Sequence, residues 1–167
     1  PPKYRAVVDY RRVNEYLKPL SYRMPTCDSL WYTLDRAKYI STADCADGYW
    51  LAPLDPSTSW MTAVDTPQGR MEWTCLPMGI QPAAGWYQSF IEDALARHDL
   101  LYTGEMNKRR DDNGKLVNFC VAYQDDLIWW SETEADHKEM TERVLDAFTK
   151  EKLYLNPKSS ECWRRPR

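Results

Sequence analysis

The stretch of sequence that decides the fold is Phe119-Cys120-Val121-Ala122-Tyr123-Gln124-Asp125-Asp126-Leu127-Ile128-Trp129-Trp130. Two apolar runs with strand composition flank a short polar segment, which predicts a β-hairpin with Asp125 and Asp126 at its tip. Adjacent carboxylates repel each other unless a cation neutralises them. A solvated turn is the commoner setting for such a pair, but the apolar flanks bring these carboxylates to the edge of a buried sheet. The hairpin is therefore a candidate cation site.

The segments around this hairpin alternate between strand and helix patterns. Strand composition is found over residues 4–10, 38–44, 60–64, 70–75 and 153–155, and helical patterns over 28–36, from Pro82 onward, and after the capping-box residues Ser131 and Thr133. This order predicts an α+β fold in which helices cover one face of an antiparallel sheet. Residues 97–115 have no period and many charges, so we predict a mobile loop there.

Length and composition indicate one folded domain over residues 1–167. A chain of 167 residues can bury one core but has little room for a second. With 43% hydrophobic residues, eight Trp and eleven Tyr, its composition is far from that of disordered chains. No apolar run approaches the roughly 18 residues of a membrane span, and the first residues lack the apolar core of a secretory signal. We expect an intracellular protein without membrane association.

The cysteines and the net charge indicate which metal sites and which binding partners the sequence favours. Five scattered cysteines without a Cys-x-x-Cys pair, together with only two histidines, predict reduced thiols and no zinc site. The net charge of −3 argues mildly against a free-standing nucleic-acid binder, because phosphate neutralisation requires Lys and Arg. Residues 1–23 nevertheless carry six basic and two acidic residues, a local charge of +4. This stretch is either an ordinary solvated face or a phosphate-binding edge.

If the hairpin belongs to a phosphoryl-transfer site that holds two divalent cations, it needs more carboxylates than Asp125 and Asp126. Two such ions roughly 3.5–4 Å apart require several hard oxygen ligands on rigid elements. Asp44, at the end of the predicted strand 38–44, offers a third carboxylate, and Asp47 is a weaker candidate. Taken singly, Asp44 could equally cap a helix that follows the strand.

Six segments then form an ordered series along nearly the whole chain. They are Arg5-x-Val7-Val8-Asp9-Tyr10-Arg11-x-Val13-Asn14, Ala37-Lys38-Tyr39-Ile40-Ser41-Thr42-x-Asp44-x-x-x-Gly48-Tyr49-Trp50, Thr62-Ala63 with Gly69-x-x-Glu72-Trp73, Leu76-Pro77-Met78-Gly79-Ile80, the hairpin 119–128, and Leu153-Tyr154-Leu155-Asn156-Pro157-Lys158. This series resembles the reverse transcriptases of long-terminal-repeat retrotransposons, above all the Ty3/gypsy type, and plant pararetroviruses share much of it.

The resemblance implies a polymerase palm, an antiparallel sheet backed by helices, with part of the fingers and without a thumb. It implies an RNA-directed DNA polymerase, a nucleotidyltransferase that adds deoxynucleoside triphosphates to a primer 3′-hydroxyl on an RNA or DNA template. The implied cofactor is two Mg²⁺ ions, for which Mn²⁺ can substitute. The implied partners are template-primer, deoxynucleotides and the thumb and ribonuclease H regions of a parent polyprotein. The implied location is the cytoplasm, virus-like particles or the nucleus.

The resemblance also assigns roles to individual residues. The matching positions are Asp44, Asp125 and Asp126 for catalysis and metal binding, Lys3, Arg5, Cys45, Asp47, Gly48, Tyr49 and Lys158 for the nucleotide, and Tyr123 and Gln124 for primer or template. Arg5 would contact the triphosphate, for which its planar guanidinium is suited. The Cys45 main-chain carbonyl would lie beside a metal ion. Tyr49 would crowd the sugar 2′ position, although core packing is the usual role of a buried aromatic residue.

Two other functions fit parts of the sequence. One is a domesticated or decayed reverse-transcriptase-like module with a non-catalytic binding role, which would have no reason to retain three mutually repelling carboxylates. The other is an RNA-directed RNA polymerase core, which would usually carry Gly immediately before the two aspartates. Gln124 occupies that position here, and Tyr49 favours deoxynucleotides.

Overall fold

The computed structural model describes residues 7–26, 34, 37–104 and 110–164, with only the backbone for residues 162–164. The elements in chain order are α1 (Arg11–Asn14), β1 (Tyr39–Asp44), α2 (Gly48–Leu51), a 3₁₀ helix (Ser59–Thr62), β2 (Val64–Thr66), β3 (Gly69–Met71), α3 (Ala83–Arg97), β4 (Cys120–Tyr123), β5 (Asp126–Ser131), α4 (Glu134–Lys150) and β6 (Glu161–Arg164). None of the described helices combines the length and apolarity needed to cross a lipid bilayer.

Contacts between Cα atoms divide the chain into two compact units. The first contains Pro1–Tyr22 and Asp47–Tyr87, and the second contains Arg23–Ala46 and Gln88–Arg167. The assignment of residues 1–167 to a single domain stays a prediction.

The second unit is built on an antiparallel sheet with the strand order β4-β5-β1-β6. The predicted hairpin is confirmed: β4 pairs with β5 from Cys120 opposite Trp129 to Tyr123 opposite Asp126. Strand β5 also pairs with β1, so it lies in the interior of the sheet. Its Leu127, Trp129 and Trp130 are buried. Burial of these large side chains is the main favourable contribution to forming this sheet.

Helix α4 covers this sheet by contacting β1 and β5. Of the two predicted capping residues, Thr133 is the N-cap, and its side chain accepts a hydrogen bond from the Asp136 amide at 3.2 Å. The apolar residues Met140, Val144, Ala147 and Phe148 recur at helical spacing in the sequence, and all four are buried on one side of this helix. Helix α3 was likewise predicted, and it begins at Ala83, directly after Pro82.

The first unit contains a hairpin close to the two strands predicted over residues 60–64 and 70–75. Residues 60–64 were predicted as its first strand, but Ser59–Thr62 form a 3₁₀ helix and the strands are β2 and β3. Hydrogen bonds from the Ser59 hydroxyl to Pro56 O (3.1 Å) and from the Thr62 hydroxyl to Ser59 O (2.6 Å) explain the difference. Such local bonds between side chain and backbone compete with strand pairing.

Four further predictions of secondary structure have different outcomes. Residues 7–10 of the predicted strand 4–10 are not in a strand, and the predicted helix 28–36 lies outside the described residues except for Leu34. The predicted strand 153–155 is reduced to a single bridge between Leu155 and Cys45, and β6 forms further along the chain. Of the predicted loop 97–115, Arg97 ends α3, whereas the other described residues are in neither helix nor strand.

One buried side chain of α4 is a histidine, which was not predicted to lie in the core. His137 is fully buried, and its Nε2 lies 2.7 Å from Ser41 Oγ on β1. Its ring lies against Tyr39, with the centroids 6.0 Å apart. Burial lowers the pKa of His137 below its usual 6.5, because the charged imidazolium is poorly solvated there.

We expect the stability of the protein to fall as the pH drops below about 6.5. In that range the unfolded chain binds a proton at His137 that the folded chain resists, so acid favours unfolding, with a slope of at most about 1.4 kcal/mol per pH unit. Urea denaturation between pH 5 and 8 measures this. In His137→Gln, the part of the pH dependence of the unfolding free energy that comes from His137 should disappear. His98, the other histidine, is present in both proteins and therefore does not contribute to the difference. An unchanged slope in that variant would contradict the assignment.

Candidate active site

Strand register brings two of the predicted carboxylates together at one end of the sheet of the second unit. Asp44 is the last residue of β1, Asp126 is the first residue of β5, and the two are direct cross-strand partners. Asp126 as a whole residue is exposed, but partial desolvation of its carboxyl raises its pKa, and the negative charge of Asp44 raises it further. The two carboxylates are therefore close enough to repel each other, as expected of ligands that share a cation.

The turn between β4 and β5 carries the third carboxylate. Gln124 has a φ of +53°, in the left-handed region that reverses the chain direction sharply. The Asp125 main-chain oxygen accepts a hydrogen bond from the Cys45 amide at 2.7 Å. This bond fixes the turn to the end of β1, directly after Asp44. Asp125 Oδ1 is shielded from solvent.

A glutamine from α3 holds the same turn from the other side. The Gln88 side chain is fully buried, and its Oε1 accepts from the Gln124 amide at 2.8 Å. Its Nε2 donates to Ala122 O at 2.8 Å and to Glu92 Oε1 at 2.7 Å. Gln88 was not singled out from the sequence. It lies three residues before Ile91, and this spacing could have indicated that Gln88 is on the buried side of the helix.

The Asp44 carboxylate is held by the segment that follows α4. Asp44 Oδ2 accepts hydrogen bonds from Ser159 Oγ at 2.6 Å and from Asn156 Nδ2 at 3.1 Å. The Asn156 amide also donates to the Asp44 main-chain oxygen at 2.8 Å. Neither residue was predicted as part of the site, and no periodicity in the sequence points to them.

The carboxylates of Asp44, Asp125 and Asp126 are chemically suited to bind a hard divalent cation. Their positions meet the requirement only in part. Carboxylate oxygens are the ligands that Mg²⁺ and Mn²⁺ prefer, and the repelling pair of Asp44 and Asp126 suits a cation between them. Within the described part of the chain, however, no three His, Cys, Asp or Glu side chains form a group that could hold a metal ion. In this structure the predicted triad is a facing pair, with Asp125 tied to it through the backbone.

The predicted nucleotide-binding residues are distributed over both units. In the first unit, Asp47 is exposed with a φ of +58° and precedes Gly48, which is buried and begins α2. The Tyr49 ring stacks on the fully buried Tyr87, with the centroids 4.9 Å apart and the planes at 22°. Tyr49 thus has the packing role considered for it.

In the second unit, Cys45 is buried and Lys158 is exposed. Tyr123, the last residue of β4, is half-buried, and Gln124 is exposed. Lys3 and Arg5 lie outside the described residues. The roles assigned to all of these residues stay predictions.

Comparison with known proteins identifies the family. Residues 1–166 match the family model described as reverse transcriptase (RNA-dependent DNA polymerase). The chain belongs to this family. The predicted resemblance is therefore confirmed, and with it the assignment to a family of RNA-directed DNA polymerases.

Similar proteins come from viruses and from a transposon. The enzymatic polyprotein of figwort mosaic virus (strain DxS) is 28% identical over 97% of this chain and 22% of its own length. The retrovirus-related Pol polyprotein from transposon opus of Drosophila melanogaster is 30% identical over 95% of this chain and 14% of its own length. The chain thus spans about a fifth or less of these relatives.

A solved structure of a foamy viral protease–reverse transcriptase in complex with double-stranded DNA has a similar fold. The TM-score is 0.75 and the identity 25%, over 98% of this chain and 25% of that one. The predicted α+β class with antiparallel sheets is confirmed, and the fold is that of a reverse transcriptase.

Proposed function

We propose that this chain is the palm and part of the fingers of an RNA-directed DNA polymerase, which adds deoxynucleotides to a primer 3′-hydroxyl. The observation that carries this proposal is the placement of Asp44 opposite Asp126, with the Asp125 turn bonded to Cys45, in a chain of the reverse transcriptase family. A module that only binds is not favoured, since it does not require facing carboxylates.

Asp44, Asp125 and Asp126 would hold two divalent cations, Mg²⁺ or Mn²⁺. When bound, such cations neutralise the triphosphate and make the primer hydroxyl more acidic. The protein's own contribution is to fix the carboxylates on the ends of two paired strands, because rigid placement lowers the entropic barrier to reaction.

The remaining roles complete the proposal. Lys3, Arg5 and Lys158 would contact the triphosphate, Cys45, Asp47 and Gly48 would line the nucleotide site, and Tyr123 and Gln124 would contact primer or template. A template-primer duplex as partner is supported by the foamy viral relative, which was solved with double-stranded DNA. The similar viral and transposon proteins are polyproteins, so thumb and ribonuclease H regions are proposed partners.

Primer extension tests this function directly. The purified chain is incubated with an RNA template, a labelled DNA primer, deoxynucleotides and Mg²⁺, in parallel with an Asp44→Asn variant. Extension by the natural sequence alone is the expected result. Absence of extension, together with Mn²⁺ binding that is indifferent to Asp44→Asn, would contradict the proposal.

Replacing Tyr49 by Ala is expected to raise ribonucleotide incorporation relative to deoxynucleotide incorporation by about tenfold or more. Removing the ring would leave room for a 2′-hydroxyl, and discrimination by bulk of this kind amounts to about 10–200-fold. Single-nucleotide insertion with a ribonucleotide and its deoxy counterpart gives the ratio.

The matched control for Tyr49 is Tyr49→Phe, which keeps the ring that stacks on Tyr87. It should retain the discrimination of the natural sequence. If Tyr49→Ala folds and extends primers with an unchanged ratio, Tyr49 does not exclude ribonucleotides.

A further inference from the structure

Asp44 is asymmetric in its hydrogen bonding. Both described donors to its carboxylate, Ser159 Oγ and Asn156 Nδ2, act on Oδ2, at 2.6 and 3.1 Å. None of the described residues donates a side-chain or backbone hydrogen bond to Oδ1. Because a carboxylate oxygen offers two lone-pair sites, these bonds engage Oδ2 fully and leave Oδ1 as the oxygen with acceptor capacity.

The donors themselves are fixed by the turn in which they lie. Asn156 Oδ1 accepts from the Lys158 amide at 3.1 Å, which orients the side-chain amide so that Nδ2 faces Asp44. Ser160 Oγ donates to Asn156 O at 2.6 Å. The Asn156 amide donates to Asp44 O at 2.8 Å and thereby fixes the turn to β1. The two donors are therefore in place before any ligand arrives.

We propose that Asn156 and Ser159 are positioning residues that hold Asp44 Oδ2 and so present Oδ1 to a divalent cation. This inference rests on the proposed function, because it concerns the same carboxylate. The repulsion between Asp44 and Asp126 makes such a hold necessary, since an unrestrained carboxylate would rotate away from its like-charged partner. Hydrogen bonds that orient a ligating carboxylate typically change metal affinity by about 10–100-fold.

Binding of Mn²⁺ to the full chain without nucleic acid or nucleotide tests this inference. The dissociation constant is measured from the electron paramagnetic resonance signal of free Mn²⁺. We expect Ser159→Ala and Asn156→Ala each to weaken binding by about tenfold or more. Ser159→Thr keeps the hydroxyl and should restore the affinity. Because Ser159 is exposed, its replacement should leave the urea midpoint unchanged.

Thr149→Ala is the control, because it removes a 2.8 Å hydrogen bond from an exposed hydroxyl to Leu145 O on α4 and leaves the turn that holds Asp44 intact. It should bind Mn²⁺ like the natural sequence. A second readout is the Mg²⁺ dependence of primer extension. Ser159→Ala should raise the Mg²⁺ concentration for half-maximal rate, with the rate at saturating Mg²⁺ within about threefold of the natural sequence.

The outcomes separate this inference from the proposed function. If Asp44→Asn weakens Mn²⁺ binding but Ser159→Ala and Asn156→Ala do not, the positioning role is wrong and the proposed function stands. Tighter binding in Ser159→Ala, or equal weakening in Thr149→Ala, also overturns it. If Asp44→Asn leaves Mn²⁺ binding unchanged, this inference is overturned, and the proposed function is overturned with it only when the natural sequence also fails to extend primers.

Discussion

Replacing Asp44 by Asn is expected to slow primer extension by about 10³-fold or more. The two side chains have nearly the same shape, so the change removes a charge and one acceptor with little effect on packing. Loss of an anionic ligand from a divalent-cation site removes several kcal/mol of charge stabilisation in the transition state, and about 4 kcal/mol corresponds to a 10³-fold lower rate.

The hydrogen bonds to Asp44 make this variant more damaging than a simple loss of charge. Ser159 and Asn156 both donate to Oδ2. An asparagine has one side-chain oxygen, and these two donors would engage it. Its amide group would then occupy the position of Oδ1 and direct its N–H groups toward the cation. We therefore expect higher Mg²⁺ concentrations not to rescue the variant.

The measurement is single-turnover primer extension over a range of Mg²⁺ concentrations. Asp146→Asn is the control, because this exposed residue pairs only with Lys150 on the surface of α4 among the described residues. Urea denaturation of both variants establishes that they are folded. A rate for Asp44→Asn within tenfold of the natural sequence would show that Asp44 is not a catalytic ligand.

Those parts of the fold that depend on local patterns were predictable. Strands β4 and β5 follow from two apolar runs around a polar turn, and α4 follows from its cap and its apolar spacing. The error at residues 60–64 comes from local bonds between side chains and the backbone. Another error lies where strand formation depends on a partner distant in sequence. Residues 153–155 have strand composition, yet Leu155 makes only one bridge, to Cys45. Choice of partner, and not composition, decides such cases.

In the candidate site, too, some residues could be predicted from local patterns, whereas others depend on contacts between distant parts of the chain. Asp44, Asp125 and Asp126 could be found because charged residues at the ends of apolar strands stand out in a sequence. Asn156 and Ser159 could not, because the residue they contact lies 112 and 115 positions earlier in the chain. A polar residue on the buried side of a helix, as at Gln88, is the kind of signal that a closer reading of α3 provides.

Replacing Gln88 by Leu is expected to lower the free energy of unfolding by about 2–3 kcal/mol. Leucine has a similar size, so little packing is lost. It cannot bond to Ala122 O or the Gln124 amide, which Gln88 satisfies at 2.8 Å each. A buried backbone group left without a partner costs about 1–3 kcal/mol, and Ala122 is fully buried. Urea denaturation at pH 7 gives the difference.

A second variant distinguishes loss of the hydrogen bonds made by Gln88 from loss of packing. In Gln88→Glu the new carboxylate can accept from the Gln124 amide, but when ionised it cannot donate to Ala122 O, and it lies beside Glu92. Burial and the Glu92 charge would raise its folded pKa above the unfolded value near 4.3. The protonated form can donate to Ala122 O, so the deficit in stability should shrink as the pH falls toward 4.3.

The comparison between the two variants at Gln88 decides the role of the hydrogen bonds. If these bonds hold the turn, Gln88→Leu keeps its deficit at every pH, whereas Gln88→Glu approaches the natural sequence in acid. Glu92→Gln is the control, because its amide oxygen can still accept from Gln88 Nε2, and it should change stability by less than about 1 kcal/mol. If Gln88→Leu and Gln88→Glu instead lose the same free energy of unfolding at every pH, the shape of the side chain matters at this position. The hydrogen bonds to the turn would then not contribute. In that case the Asp125 turn would depend on the Cys45 amide.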